Sequence, residues 1–306
     1  MTLHVFQLSE FIVESELAFQ FAHTPAAAPH AAARADLRIR LGTTPESLAS
    51  PSCVTEHWQL ETDQRFLLTA PGVGRFLLDR DGTVRVEPFG RADDVALRLC
   101  LLGSVFSAWL AMQGYVPLHA GAVEVAGGAA LICGRSGAGK STTMALLARA
   151  GCAVLAEDLA ILDTTGTVEL LAFSGQVKLA SGAIEALGLD PADCKMIAGP
   201  RAKYALSTPR TTGRRAVSKA LVLHPPGAPR PASGPARGAF AVRTLLNHVH
   251  RPRLVGHVLG EADLKARIAR LADQLDVLHV ERSDDYTLCE DMRTHLGVAE
   301  TLRPSP

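Results

Sequence analysis

The chain has 306 residues, with 31 Lys plus Arg against 31 Asp plus Glu, and 47% of it is apolar. At roughly 100–200 residues per domain, that is one large domain or two modest ones with ample material for a core. Zero formal net charge argues against a basic nucleic-acid coat or a disordered acidic tail, so no nucleic-acid partner is expected.

The longest apolar run, residues 99–112, is shorter than the roughly 20 residues a bilayer span needs, so no membrane association is expected. Residues 1–19 have no Lys or Arg, and Glu10, Glu14 and Glu16 interrupt their apolar pattern, unlike a secretory signal. Six scattered cysteines without a CxxC pair fit a reducing, cytoplasmic setting and lack the spacing of a structural zinc site.

In chain order, residues 24–34 form a Pro/Ala loop. Strand-like runs follow at 65–69, 75–79 and 83–87, the last two joined through Asp81-Gly82, a strong hairpin signal. Residues 1–92 thus suggest a small, mainly antiparallel β domain. Residues 93–114 predict one long helix, apolar on most faces, connecting the domains and buried between them. Strands are expected at 116–125 and 129–133, joined at Gly127-Gly128. A helix follows at 140–150, closed by Gly151, and then a strand at 153–162. Beyond come a short helix at 181–187, a strand at 220–224 and a Pro-rich loop at 225–237. Helices at 240–250 and 261–275, a strand at 277–281 and a helix at 285–296 complete a second domain over 115–306.

Gly134-Arg135-Ser136-Gly137-Ala138-Gly139-Lys140-Ser141 satisfies GxxxxGK[ST], following an apolar run and opening a helix, the context that gives a P-loop its meaning. Glycines let the backbone wrap phosphates, and the helix N-terminus adds a favourable dipole. Residues 134–141 and Thr142 in the first helical turn are the candidate nucleotide-binding set. Lys140 would reach the terminal phosphates and Ser141 would ligate Mg²⁺, which implies ATP and Mg²⁺. The single asparagine, Asn247, excludes the guanine-reading Asn-Lys-x-Asp motif and the catalytic loop of eukaryotic-type protein kinases. Phe173-Ser174-Gly175-Gln176 reads as a turn. Glu157-Asp158 lies within an apolar stretch, where adjacent acids are costly unless a metal or a proton uses them.

His119, the P-loop fifteen residues later and the acidic pair beyond Gly151 together resemble the catalytic domain of HPr kinase/phosphorylase. That family carries a His in a strand, GxSGxGKS, a short helix, a Gly and Ala-Asp-Asp. Ala156-Glu157-Asp158 stands in the last position here, and the spacing matches from His119 through Asp158. Leu101-Leu102-Gly103 and Leu118-His119-Ala120 look like an HPr-kinase-related branch that includes lasso-peptide precursor serine kinases.

The resemblance implies an α/β fold: an HPr-kinase-like P-loop catalytic domain with a mixed sheet, preceded by the β domain. It implies an ATP-dependent kinase acting on a Ser or Thr hydroxyl of a peptide or small protein, such as a ribosomal peptide precursor. It also implies catalytic roles for Lys140, His119, Glu157 and Asp158. Asp158 would share Mg²⁺ with Ser141, and Glu157 stands where the family has its Asp base. Family analogy further suggests a homo-oligomer. The family's Glu-x-Arg-Gly-Leu-Gly-Ile signature is replaced by residues 174–179, so HPr itself and the reverse reaction are not expected. In that segment Lys178 is either a phosphate contact or a solvated lysine. A P-loop ATPase, a nucleotide-binding regulator and a small-molecule kinase are the alternatives.

Residues 194–260 contain no Asp or Glu but 12 Lys or Arg. This basic stretch suggests an acidic or phosphorylated peptide partner, with Arg210, Arg214 and Arg215 as candidate contacts, against a plainer reading in which acids elsewhere neutralise it.

Overall fold

The computed structural model describes residues 3–19, 35–91, 95–190, 194–197, 203–209, 211–227, 234–282 and 287–298. The expected loop at 24–34, the start of the helix at 93, Arg210, residues 228–233 of the Pro-rich loop and residue 285 lie outside them. The chain divides into two compact units, Met1–Tyr115 with Arg251–Glu261, and Val116–His250 with Ala262–Pro306.

The first unit holds β1 (His4–Leu8), β2 (Phe11–Ser15), β3 (Leu37–Leu41), β4 (Pro51–Val54), β5 (Trp58–Glu61), β6 (Phe66–Ala70), β7 (Gly74–Leu78) and β8 (Thr83–Pro88). They form one sheet in the order β1-β2-β3-β8-β7-β6-β5-β4. Most of its pairings are antiparallel, but β3 runs parallel to both β2 and β8. Residues two apart share a face. Phe66, Phe76, Leu78, Val84 and Val86 are wholly buried on one side, and Leu67 and Leu77 pack with Leu48 on the other. The β7–β8 hairpin closes at Gly82, whose φ of 79° is what the turn requires.

The expected single helix is a composite: α1 (Val95–Cys100), a π-helical turn (Leu101–Val105) and α2 (Phe106–Met112), ending before Gly114 at φ 84°. It belongs to the first unit, where the π turn contacts β6 and β7; it is not a separate connector. Trp109 is almost fully buried, stacked on Phe106 at 5.4 Å between ring centroids and edge-on to Phe11 at 4.8 Å. By length and composition Val95–Met112 is apolar enough to cross a membrane, longer than the run counted from the sequence; half of it is buried in the fold. A helix not foreseen, α6 (Pro252–Leu259), packs against α2 from far along the chain; its opening Arg-Pro-Arg reads locally as loop.

The second unit is built on a sheet in the order β12-β10-β11-β18-β14-β13-β9, with β20 on β18 and β19 on β20. Its strands are β9 (Val116–Leu118), β10 (Gly121–Val125), β11 (Gly128–Gly134), β12 (Val154–Ala156), β13 (Ala160–Asp163), β14 (Glu169–Ala172), β18 (Gly213–His224), β19 (Gly234–Ala236) and β20 (Asp276–Glu281). β10 and β11 form the expected hairpin, while β11, β18 and β20 are mutually parallel. A smaller antiparallel sheet, β15 (Gln176–Ala180), β17 (Lys203–Ser207) and β16 (Cys194–Ile197), was not foreseen beyond the turn at Phe173. The helices are α3 (Lys140–Arg149), α4 (Ser181–Ala186), α5 (Gly238–Leu246), α7 (Glu261–Gln274) and α8 (Glu290–Leu296). Met144, Leu147, Ile184 and Met292 from three of them join Ile132, Leu221 and Val280 in one core cluster.

Two strands expected to be continuous are each broken. The first stops at Leu118 and resumes at Gly121; the second stops at Ala156 and resumes at Ala160. The two breaks face each other, because Leu118 pairs with Ala160 on one side and Ala122 with Ala156 on the other. One antiparallel register thus opens into a gap that holds His119 on one strand and Glu157-Asp158 on the other.

Candidate functional site

The glycine-rich loop leaves β11 at Gly134 and enters α3 at Lys140. Gly137 and Gly139 have φ of 84° and 91°, a left-handed backbone that carries no penalty for glycine. Gly139 is the N-cap and makes no side-chain cap, so the first amides of α3 are left for another acceptor. Arg135, Ser136 and Gly137 are exposed, Ala138 is buried, and Ser141 and Thr142 are half-buried in the first turn.

Lys140 is 9% exposed and folds back over the loop, donating to the Gly134 carbonyl at 2.8 Å and meeting His119 Nε2 at 3.1 Å. Burial pushes its pKa down, partly offset by Asp158. Beneath it, burial pushes the Cys133 thiol up to about 12, which makes it an inert core group.

His119 sits in the strand gap, its backbone N–H donating to the His248 carbonyl at 2.7 Å. Lys140 Nζ meets its Nε2, and its Nδ1 is 3.3 Å from Asp158 Oδ1. The chain of contacts is therefore Lys140–His119–Asp158.

Glu157 points the other way. Lys178 Nζ donates to its Oε2 at 2.7 Å, and the Lys178 backbone N–H reaches Oε1 at 3.3 Å. Lys178 is thus neither a solvated lysine nor a free phosphate contact. Burial lowers its pKa, but the charge and hydrogen bond of Glu157 outweigh that and raise it. The Glu157 side chain is 11% exposed and that of Asp158 58%, so the neighbours occupy opposite environments.

Sequence reasoning missed several further groups. Arg282, just past β20, lies against the loop: a Cβ on Gly139 would fall 2.5 Å from its Cδ. The parallel register of β11, β18 and β20 brings their C-terminal ends together, which accounts for that approach. His248 is buried, and its pKa is pushed down to about 4 by burial and then by Lys140, His119, His279 and His224. His224 and His279 meet at 2.8 Å, and Thr244 touches the far side of His279 at 3.3 Å.

The candidate basic contacts are placed differently. Arg214 pairs with Asp163 at 2.8 Å and Glu169 at 3.1 Å, and Arg215 pairs with Glu124 at 2.8 Å. Both sit at the start of β18, whereas Gly134 lies beside Leu223 near its end. Eight residues of strand, ~26 Å, separate Arg215 from Leu223. The plainer reading, neutralisation by acids elsewhere in the fold, holds for these two.

Phosphate groups fit what the loop offers: uncapped helix amides, two left-handed glycines and a buried lysine. For Mg²⁺, the chain offers the Ser141 hydroxyl and the exposed Asp158 carboxylate. Few protein ligands are typical where substrate phosphates complete the shell.

No family model matches the chain, and no curated protein matches it. Among solved structures it is similar to the Hpr(Ser) kinase/phosphatase from Coxiella burnetii, at 18% identity over 39% of this chain and 70% of that one, with a TM-score of 0.25.

Proposed function

We propose that the chain is an ATP-dependent kinase that transfers the γ-phosphoryl group to a Ser or Thr hydroxyl of a peptide or small protein. The Lys140–His119–Asp158 chain at the mouth of an uncapped, glycine-rich helix N-terminus carries this reading. Loop amides and Lys140 hold the phosphates and stabilise charge on the group in transfer. His119 fixes one oxygen of Asp158. The exposed carboxylate then takes the proton of the incoming hydroxyl as the O–P bond forms and ADP leaves. Glu157 stays paired with Lys178 and positions that strand. Ser141 and Asp158 would hold Mg²⁺, which would supply charge neutralisation to the phosphates. A ribosomal peptide precursor is the acceptor class that the sequence resemblance implies.

The test is mass spectrometry of Ser-containing peptides after incubation with MgATP. Asp158→Asn should lower transfer by ~10²–10⁴-fold, Glu157→Gln by less than about tenfold, and Lys140→Ala most of all. Wild-type transfer by Lys140→Ala would overturn the assignment. Phosphate release without a peptide adduct would indicate an ATPase instead.

A further inference from the structure

The first unit contains a groove of about 550 Å³ that the phosphate chemistry does not use. Its floor is apolar: Trp58 at the start of β5, Leu68 on β6 and Leu254 on α6, with Leu99 of α1 at the rim, 54% exposed. Its polar groups are Arg251 and Arg253, with Ser104 and Thr69 as hydroxyls and His57 at one end. Among the described residues no Asp or Glu lines it. Neither arginine has a carboxylate partner among the described residues.

Two backbone irregularities meet at this groove. Arg251 holds a left-handed φ of 53°, one of three non-glycine residues that do so among the described residues. Its Nη2 lies 3.4 Å from where a Cβ on Gly103 would stand, against the π-helical turn. π-helical turns and left-handed non-glycine residues are both costly and collect at functional sites. Here Gly103 makes room for the guanidinium that the strained backbone of Arg251 delivers.

We propose that this groove docks an acidic peptide segment carrying an apolar side chain, which seats against Trp58, Leu68 and Leu254 while its carboxylates meet Arg251 and Arg253. Unpaired arginines beside a tryptophan match the residue types that dominate peptide-binding energy. Charge complementarity with a carboxylate-free rim sets the sign of the partner. That the docked segment belongs to the phosphoacceptor rests on the kinase reading; the docking itself does not.

The test is fluorescence anisotropy of a labelled dodecapeptide alternating Glu with Leu and Phe, measured without nucleotide on the full chain. A matched peptide with Lys for Glu and a polyphosphate probe serve as comparisons. The acidic peptide should bind, and more weakly at higher salt. Arg251→Gly, which removes the guanidinium and relaxes the left-handed backbone, should weaken it at least about tenfold, as should Arg253→Glu. Thermal melting of both variants is the control for folding and should match the wild-type chain. Leu99→Asp, at an exposed position, should also weaken binding. Unchanged affinity in both arginine variants, equal binding of the Lys peptide, or polyphosphate binding lost in step with peptide binding in the arginine variants would each overturn the proposal. No binding of the acidic peptide by the wild-type chain, with Lys140-dependent phosphorylation intact, would overturn it alone, whereas docking without any phosphopeptide would overturn only the kinase reading.

Discussion

Glu157 and Asp158 are neighbours in sequence and opposites in surroundings. The strand stops at Ala156, and the bend that follows it leaves one acid buried under Lys178 and the other exposed beside His119. Nothing in the local sequence distinguishes them as acids; the distinction comes from Lys178, 21 residues away on a strand that sequence periodicity did not reveal. At the same scale, His248 makes stability depend on pH. Its folded value of about 4 lies below the ordinary 6.5. Between those values the unfolded chain binds a proton that the folded chain refuses, so stability falls as pH falls through that window. The loss is about 3 kcal/mol by pH 4. His279, also held low by burial and by His224, acts in the same direction. Melting temperatures between pH 4.5 and 8 should fall on the acid side, and His248→Gln should flatten the slope; a flat wild-type profile would contradict it.

At the scale of elements, local chemistry was legible where it is self-contained. The hairpin at Asp81-Gly82, the helix after Gly139 and its stop before Gly151 all follow from turn and cap residues. Elements defined by their neighbours were not. The strands 116–125 and 153–162 look continuous because their residues are apolar throughout, and only pairing shows where each is interrupted. Two glycines with nearly equal φ separate backbone from packing. Gly72 has φ 71° with nothing within 4 Å of an added Cβ, whereas at Gly82, φ 79°, that atom would stand 2.2 Å from the Asp36 carbonyl oxygen. Gly72→Ala should cost about 1–2 kcal/mol from backbone strain alone. Gly82→Ala should cost a further ~1–3 kcal/mol, because a backbone atom must move. Urea unfolding of the two variants measures the difference.

At the scale of the whole molecule, neutrality arises by pairing across long sequence distances. Arg214 and Arg215 meet acids 45 to 91 residues away. The first unit depends likewise on a distant segment, since α6 returns from residue 252 to pack on α2. A fragment ending at residue 115 should therefore expose that face of α2, bind a hydrophobic dye and melt at lower temperature than the unit in the full chain. Appending residues 251–261 through a flexible linker should reverse both effects; a fragment that melts like the full chain would show α6 to be dispensable.

By itself the sequence determined the glycine-rich loop, its helix and the presence of His119 and two acids near it. Each of those is written in a short window: a turn that only glycine permits, a cap, a fixed spacing. The tertiary structure alone decided which acid stands exposed beside His119, that Lys178 pairs with the other, that Arg214 and Arg215 are already paired, and that Arg251 and Arg253 have no carboxylate partner among the described residues. Those outcomes depend on strand register and on chain returning from afar, and a charge's role is set by what faces it rather than by what precedes it.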